Sequence, residues 1–112
     1  MAVLKSNAYG HDLDLCTRAV QGHADWIGVN SIEEAIRVRK LDDSTPVLVM
    51  GANDKADYKE IASYASKPVL VLSTIDAIRE MEDHLPGHPF HLKVDTGMSR
   101  LGHHGVSLQK IF

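Results

Sequence analysis

Short apolar runs alternate with amphipathic segments along nearly the whole chain, and this alternation limits the folds open to it. The apolar runs, each short enough for one strand, occupy residues 2–4, 26–29, 46–50, 69–72 and 90–94. Between them, apolar residues recur at helical spacing within residues 13–20, 31–40, 54–64 and 73–84. Successive βα units predict an α/β fold, in which right-handed crossovers join the strands of a parallel sheet.

Polar residues mark where the predicted helices begin. Ser31, Asp54 and either Ser73 or Thr74 precede the helical segments. Their side-chain oxygens can accept hydrogen bonds from amides of the first turn, which is the usual role of an N-cap. A further helix is expected to start in the tail after Gly105.

Two parallel architectures fit this order of elements. A five-stranded doubly wound sheet closes at this length, whereas a (β/α)8 barrel needs roughly 200 residues or more. The 112 residues of this chain could therefore form only part of such a barrel. The pattern alone does not choose between the two. In both, functional groups lie at the carboxyl ends of the strands, and the segments after the first and fifth strands have the unusual sequences.

The first of these segments is Lys5-Ser-Asn-Ala-Tyr-Gly-His11, in which a lysine ends an apolar strand. The amine of such a lysine lies at the mouth of the sheet, and a neutral amine there can form a Schiff base with an aldehyde. The alternative is an ordinary strand-end lysine, whose aliphatic stem packs on apolar surface while its amine stays in water.

The second segment is Lys93-Val-Asp-Thr-Gly-Met-Ser-Arg-Leu-Gly102, which places two cations, one anion and two glycines within ten residues. Gly97 and Gly102 permit positive φ and a close approach of the backbone. Arg100 offers a planar fork that suits a carboxylate or a phenolate oxygen. The alternative is a polar loop closed by an ion pair between Asp95 and Arg100.

Composition excludes several classes of function. The net charge of −3 gives no sign of a nucleic-acid surface. No apolar stretch approaches the roughly 18–20 residues of a membrane span, and the first residues do not resemble a signal peptide. The single cysteine, Cys16, cannot form an intrachain disulfide, which favours the cytoplasm. The histidines lack the spacing of a zinc site, so no metal is expected.

Both unusual segments resemble signatures of the alanine racemase family. Residues 5–11 are similar to the sequence at which that family attaches pyridoxal 5'-phosphate (PLP), and residues 93–102 resemble a second signature, found after the fifth barrel strand. The order and separation of the two segments also match. The resemblance implies that the chain forms strands one to five of a PLP-binding (β/α)8 barrel. It also implies that the parent protein acts on a small-molecule substrate, interconverting L- and D-alanine and supplying D-alanine for peptidoglycan.

The resemblance also implies roles for individual residues. Lys5 would bind PLP covalently and act as a catalytic base that moves the α-proton on one face of the substrate. Tyr9 would donate a hydrogen bond to the cofactor phosphate. Arg100 would contact the phenolic oxygen of PLP and the substrate carboxylate. Lys93 would lie behind Arg100 and hold it in place, in some members as a carbamate.

Three positions depart from the family pattern. Ser6 replaces the usual alanine, Ser99 replaces a usual glycine, and Asp12 stands where glycine is common. None of these changes removes a catalytic group, although Ser99 can alter the backbone freedom of its loop.

The resemblance covers residues 1–112 as one partial barrel domain. Family members have, in addition, a segment before the lysine strand, further barrel strands and a C-terminal β-domain, which gives the second catalytic base, a tyrosine, to a partner subunit. The 112-residue chain alone is therefore expected to be inactive, and its uncovered sheet face and open edges favour a homo-oligomer. Three alternatives stay open: a non-catalytic PLP-binding barrel, a folding fragment without a ligand, and a racemase for another amino acid such as serine.

Overall fold

Parallel strands alternate with right-handed helices in the computed structural model, which describes residues 1–104. The strands of the main sheet are β1 (Ala2–Val3), β2 (Ile27–Val29), β3 (Val47–Val49), β4 (Val69–Leu72) and β5 (Phe90–Leu92). The helices are α1 (Leu13–Val20), α2 (Ile32–Arg39), α3 (Lys55–Ala62) and α4 (Ile75–His84). A second, two-stranded sheet consists of β6 (Val94–Asp95) and β7 (His103–His104). The helix expected after Gly105 lies outside the described residues.

The strands of the main sheet lie side by side in chain order, β1-β2-β3-β4-β5, and every pairing is parallel. A doubly wound sheet requires the strand order to reverse near its middle, so that helices cover both faces. No reversal occurs here, and the doubly wound alternative is wrong. The prediction of five barrel-type parallel strands is confirmed, in a sheet that is not closed.

One face of the main sheet carries the apolar core. Its strand residues are fully buried beneath the helices, and they include Ile27, Val29, Val47, Val49 and Leu70. From the helices, Val38, Tyr58, Ile61 and Met81 complete this core. Burial of an aliphatic side chain contributes about 1.5–3 kcal/mol relative to exposure. This helix-covered face therefore holds the βα units together.

The opposite face, called here the inner face, carries Gly28, Leu48, Val71 and His91, which occupy paired positions on neighbouring strands. The rings of Trp26 and His91 are 5.9 Å apart between their centroids. Trp26 directly precedes β2, and His91 lies in β5. The strands β3 and β4 separate β2 from β5, and in a flat sheet β2 and β5 would lie about 14 Å apart. The inner face is therefore concave, as the inside of a barrel is.

The predicted helix starts are confirmed. Ser31 Oγ accepts from the Glu34 amide at 3.3 Å, and Thr74 Oγ1 accepts from the Ala77 amide at 3.1 Å. Asp54 forms a reciprocal capping box with Asp57 at the start of α3. Within residues 1–104, no helix is both long and apolar enough to cross a membrane.

A buried carboxylate organises the connection from α2 to β3. Asp42 is 1% exposed and accepts from the amides of Ser44 and Thr45, each at 3.0 Å, and from both of their hydroxyls. Arg39 stabilises the same connection by donating a hydrogen bond to the carbonyl of Thr45 at 2.6 Å. It also donates to the carbonyl of Ser66, which precedes β4, at 3.1 Å. Burial tends to raise the pKa of Asp42, but the hydrogen bonds outweigh it and lower the pKa to about 2.

Replacement of this carboxylate should destabilise the fold in a pH-dependent way. Because the folded-state pKa is depressed from 3.8 to about 2, the charged carboxylate stabilises the fold above the unfolded-state pKa. This stabilisation is lost as the pH falls through the folded-state value. We expect Asp42→Asn to lower the free energy of unfolding at neutral pH by roughly 2–3 kcal/mol. Urea unfolding of both proteins at neutral and acidic pH measures the effect.

Asp43→Asn is the control for this experiment, because the Asp43 side chain is exposed. The control should change the free energy of unfolding by less than about 0.5 kcal/mol at neutral pH. The difference between wild type and Asp42→Asn should shrink on acidification to about pH 2. A difference that stays constant between these pH values would contradict the role given to the Asp42 charge.

Candidate functional site

The two signature segments lie at the carboxyl ends of the outermost strands of the main sheet. Lys5 follows β1 and is half-buried, and Lys93 follows β5 and is also half-buried. Since β1 and β5 are the two edges of the sheet, its full width separates the two lysines. The sequence-based expectation that both segments lie at strand ends is confirmed, and they reach the rim of the concave inner face from opposite sides.

The segment Lys5–Tyr9, called here the Lys5 turn, is left-handed. Ser6, Asn7, Ala8 and Tyr9 all have φ between 54° and 56°. Left-handed conformation costs an L-residue roughly 1–2 kcal/mol, and non-glycine residues adopt it singly as a rule. The turn ends at Gly10, whose φ of 89° is natural for glycine. Strain of this kind persists only where surrounding contacts enforce it, and it concentrates at functional sites.

Contacts from three directions hold the Lys5 turn. The Asn7 amide donates to Glu34 Oε1 at 3.1 Å. The Asn7 side-chain oxygen accepts from the Leu13 amide at 3.0 Å and lies 3.5 Å from Nη1 of Arg37. Ala8 is 3% exposed and belongs to the apolar core. The turn is thus anchored by one buried methyl group and by the polar groups of Asn7.

This geometry determines where the turn places Tyr9. With Ala8 directed into the core, Tyr9 is 61% exposed. A large aromatic side chain exposed to this extent beside a rigid turn is available to a ligand. Lys5 and Tyr9 therefore belong to one turn at the carboxyl end of β1.

The loop 95–102, called here the Arg100 loop, is folded around Asp95. The carboxylate of Asp95 accepts from the amides of Gly97 at 2.9 Å and Ser99 at 3.0 Å. Gly102 has φ 153°, and a Cβ at this position would lie 2.5 Å from the Asp95 amide nitrogen. The expectation that Gly102 permits a close backbone approach is confirmed. Ser99 adopts φ 53°, which favours glycine, and Arg100 is exposed.

Lys93 is held more firmly than Arg100. Its amide donates to the Leu72 carbonyl at 2.8 Å, and its carbonyl accepts from the His103 amide at 2.6 Å. Its side chain lines a small cavity at the ends of β3 and β4, beside Met50 and Ser73. Lys93 therefore ties the Arg100 loop to the rim of the sheet.

The predicted residues lie in two separate segments, Lys5 and Tyr9 after β1 and Lys93 and Arg100 after β5. In the described part of the chain, no hydrogen bond or ion pair joins one pair to the other. The donors are an amine, a phenol, a guanidinium and a second amine. This set suits an anionic ligand that carries an aldehyde and a phosphate. Residues 1–104 contain no cluster of three His, Cys, Asp or Glu side chains that could hold a metal ion.

Sequence reasoning did not identify Glu34 as part of the site. It treated Glu34 only as an acidic residue of the first helical turn, which favours a helix N-terminus. In the structure, the Glu34 carboxylate instead contacts the Lys5 turn. Nothing in the spacing of residues 5 and 34 indicates this contact, which depends on the pairing of β1 with β2.

The sequence matches a known family over nearly its whole length. The family described as alanine racemase, N-terminal domain, matches residues 1–111. The chain is 40% identical over 110 residues to alanine racemase of Leptospira interrogans serogroup Icterohaemorrhagiae serovar copenhageni (strain Fiocruz L1-130). That similarity covers 97% of this chain and 28% of the Leptospira protein. The chain thus spans less than a third of the length of this relative.

Solved structures show the same fold. The biosynthetic alanine racemase from Pseudomonas aeruginosa superimposes with a TM-score of 0.87 at 30% identity, over 99% of this chain and 31% of that protein. The histidine racemase from Leuconostoc mesenteroides subsp. sake NBRC 102480 superimposes with a TM-score of 0.78 at 31% identity, over 93% of this chain and 29% of that protein.

Proposed function

The chain belongs to the alanine racemase family, and from this premise we propose that the whole protein interconverts L- and D-alanine with PLP as its cofactor. The observation that carries the proposal is the Lys5 turn, in which a strand-end lysine is followed by four consecutive left-handed residues. Such strain has no benefit for stability alone. In this proposal, the strained backbone serves to orient Lys5 and Tyr9 toward the cofactor.

The residues present fit the cofactor. Lys5 is half-buried and ends a strand, so its amine lies where a carbonyl group can reach it from the rim. Tyr9 is exposed and can donate to a phosphate, whereas Arg100 offers a planar cation on the facing edge. When bound, PLP supplies an electron sink that acidifies the Cα–H bond of an amino acid.

The chain's own residues have distinct roles in this proposal. Lys5 holds the cofactor covalently and moves the α-proton on one face of the substrate. Tyr9 orients the phosphate, and Arg100 binds the substrate carboxylate and the phenolic oxygen of the cofactor. Lys93 positions Arg100, because its backbone hydrogen bonds fix the start of the Arg100 loop. Proton transfer by a positioned side chain contributes typically 10²- to 10⁴-fold to a rate.

The identity of the amino-acid substrate is the part of the proposal for which a specific alternative exists. A histidine racemase shares this fold at 31% identity, so the family likeness is compatible with amino acids other than alanine. The higher identity, 40%, to an alanine racemase favours alanine. We propose further that the product D-alanine is used for peptidoglycan and that the protein is cytoplasmic.

Covalent labelling tests the cofactor site directly. After incubation with PLP and reduction with borohydride, mass spectrometry should find the phosphopyridoxyl adduct mainly on Lys5. Lys5→Ala should abolish this dominant adduct, because the proposal assigns the covalent bond with the cofactor to the Lys5 amine. Lys59→Ala, at an exposed position on α3, is the matched control and should leave the dominant adduct unchanged. Adducts spread evenly over the surface lysines would show that the chain has no cofactor site.

The 112-residue chain by itself should not racemise alanine. Racemisation requires one base on each face of the planar carbon centre, and the proposal assigns Lys5 to one face only. Chiral chromatography of L- or D-alanine incubated with the chain and PLP should show no more conversion than with Lys5→Ala. Conversion that depends on Lys5 would contradict this assignment by revealing a second base. Selective labelling without conversion is the result expected from both the proposal and a non-catalytic PLP-binding barrel.

We also propose that the 112-residue chain self-associates. Within residues 1–104, Val69 and Val71 of β4 are partly exposed, and β1 and β5 are the edge strands of the main sheet. Apolar surface and open strand edges both promote association. Static light scattering should give a mass of at least twice 12.3 kDa at micromolar concentration. A monomeric mass that does not change with protein concentration would contradict self-association, and it would not affect the proposal of a cofactor site.

A further inference from the structure

The carboxylate of Glu34 joins the backbones at the ends of two strands. One oxygen, Oε1, accepts from the Asn7 amide at 3.1 Å, and the other, Oε2, accepts from the Asn30 amide at 2.8 Å. Asn7 lies within the Lys5 turn, and Asn30 directly follows β2. A single side chain on α2 thus binds the loops that leave two neighbouring strands.

Glu34 is itself held in place. It lies in the first turn of α2, where its amide donates to the N-cap hydroxyl of Ser31 at 3.3 Å. Its side chain is half-buried between the helix and the two loops. Hydrogen bonds from backbone amides to an ionised carboxylate are stronger than those between neutral groups. The backbone of Glu34 is therefore fixed at the start of α2, and its carboxylate accepts two charge-assisted hydrogen bonds.

A second contact from the same helix reaches the same residue of the turn. Nη1 of Arg37 lies 3.5 Å from the side-chain oxygen of Asn7, and Nη2 forms an ion pair with Asp14 at 2.8 Å. The side chains of Arg37 and Asp14 are each about half exposed, so solvent weakens the ion pair between them. Of the two polar contacts that α2 makes with Asn7, the hydrogen bond to Glu34 at 3.1 Å is shorter than the Arg37 contact at 3.5 Å, and Glu34 also binds the residue that follows β2.

We propose that Glu34 is a positioning residue, which maintains the left-handed Lys5 turn and thereby fixes the Lys5 amine and the Tyr9 hydroxyl for the cofactor. The inference rests on the proposed function for the identity of the ligand. It does not require Glu34 to contact that ligand. Release of the hydrogen bond from the Asn7 amide lets the backbone at residues 6–9 relax toward right-handed or extended conformations, which L-residues prefer.

The chain offers a graded set of variants for the test. Glu34→Ala removes both acceptors, and Glu34→Gln keeps one oxygen while it places an amide nitrogen opposite the second backbone amide. Glu33→Gln is the matched control, because Glu33 is an exposed residue of the same helical turn. If Glu34→Ala fails to fold, Glu34→Gln alone decides the test.

Hydrogen–deuterium exchange of the folded proteins gives a readout that does not involve the cofactor. Exchange at the Asn7 and Asn30 amides should accelerate about tenfold or more in Glu34→Ala and by less in Glu34→Gln, since a charge-assisted acceptor is lost. Exchange at the core amide of Val49 should stay unchanged, as should all amides in Glu33→Gln. Unaltered exchange at Asn7 in the Glu34 variants would overturn the proposal.

Labelling with PLP and borohydride then tests positioning. The ratio of the adduct on Lys5 to that on exposed Lys59 should fall several-fold in Glu34→Ala, with an intermediate value in Glu34→Gln. A purely structural role would leave this ratio unchanged in folded protein, and that result would overturn the inference while the proposed function survives. If wild type itself shows no preference for Lys5, the proposed function fails and the positioning role fails with it.

Discussion

The structure depends on the burial of one face of a parallel sheet beneath the helices that connect its strands. The fully buried side chains of β2, β3 and β4 lie on this face, and Tyr58 and Met81 pack against it from the helices. Because every crossover lies on the same side, the sheet curls away from the helices, and Trp26 meets His91 across the inner face. All strands consequently direct their carboxyl ends to one curved rim, where the candidate site lies.

At that rim, the chain combines a strained backbone with polar support. The Lys5 turn contributes only Ala8 to the apolar core, so apolar packing alone does not explain its left-handed form. Glu34 and Asn7 provide directional hydrogen bonds instead. Such bonds depend on angle and distance, and they therefore specify one backbone geometry where apolar contacts would tolerate several.

The sequence predicted the features that depend on local interactions. The helix start at Ser31 was correct, and of the two candidates Ser73 and Thr74 the structure selects Thr74, because an N-cap bonds within its own first turn. The choice between barrel and doubly wound sheets was not available from the pattern, because both bury the same apolar strands. The left-handed turn also escaped prediction, since residues 6–9 include no glycine. One of the contacts that hold this turn comes from Glu34, which is distant in sequence and adjacent only after β1 and β2 pair.

The distance between the two halves of the candidate site is set by the sheet. Lys5 and Arg100 belong to loops at opposite edges, and each loop is organised by its own contacts, through Glu34 in one case and Asp95 in the other. Neither loop fixes its position relative to the other. The curvature of the inner face does so, and therefore the side chains that fill its concave surface, such as Leu48 and Trp26, determine whether the lysine and the arginine can face the same ligand.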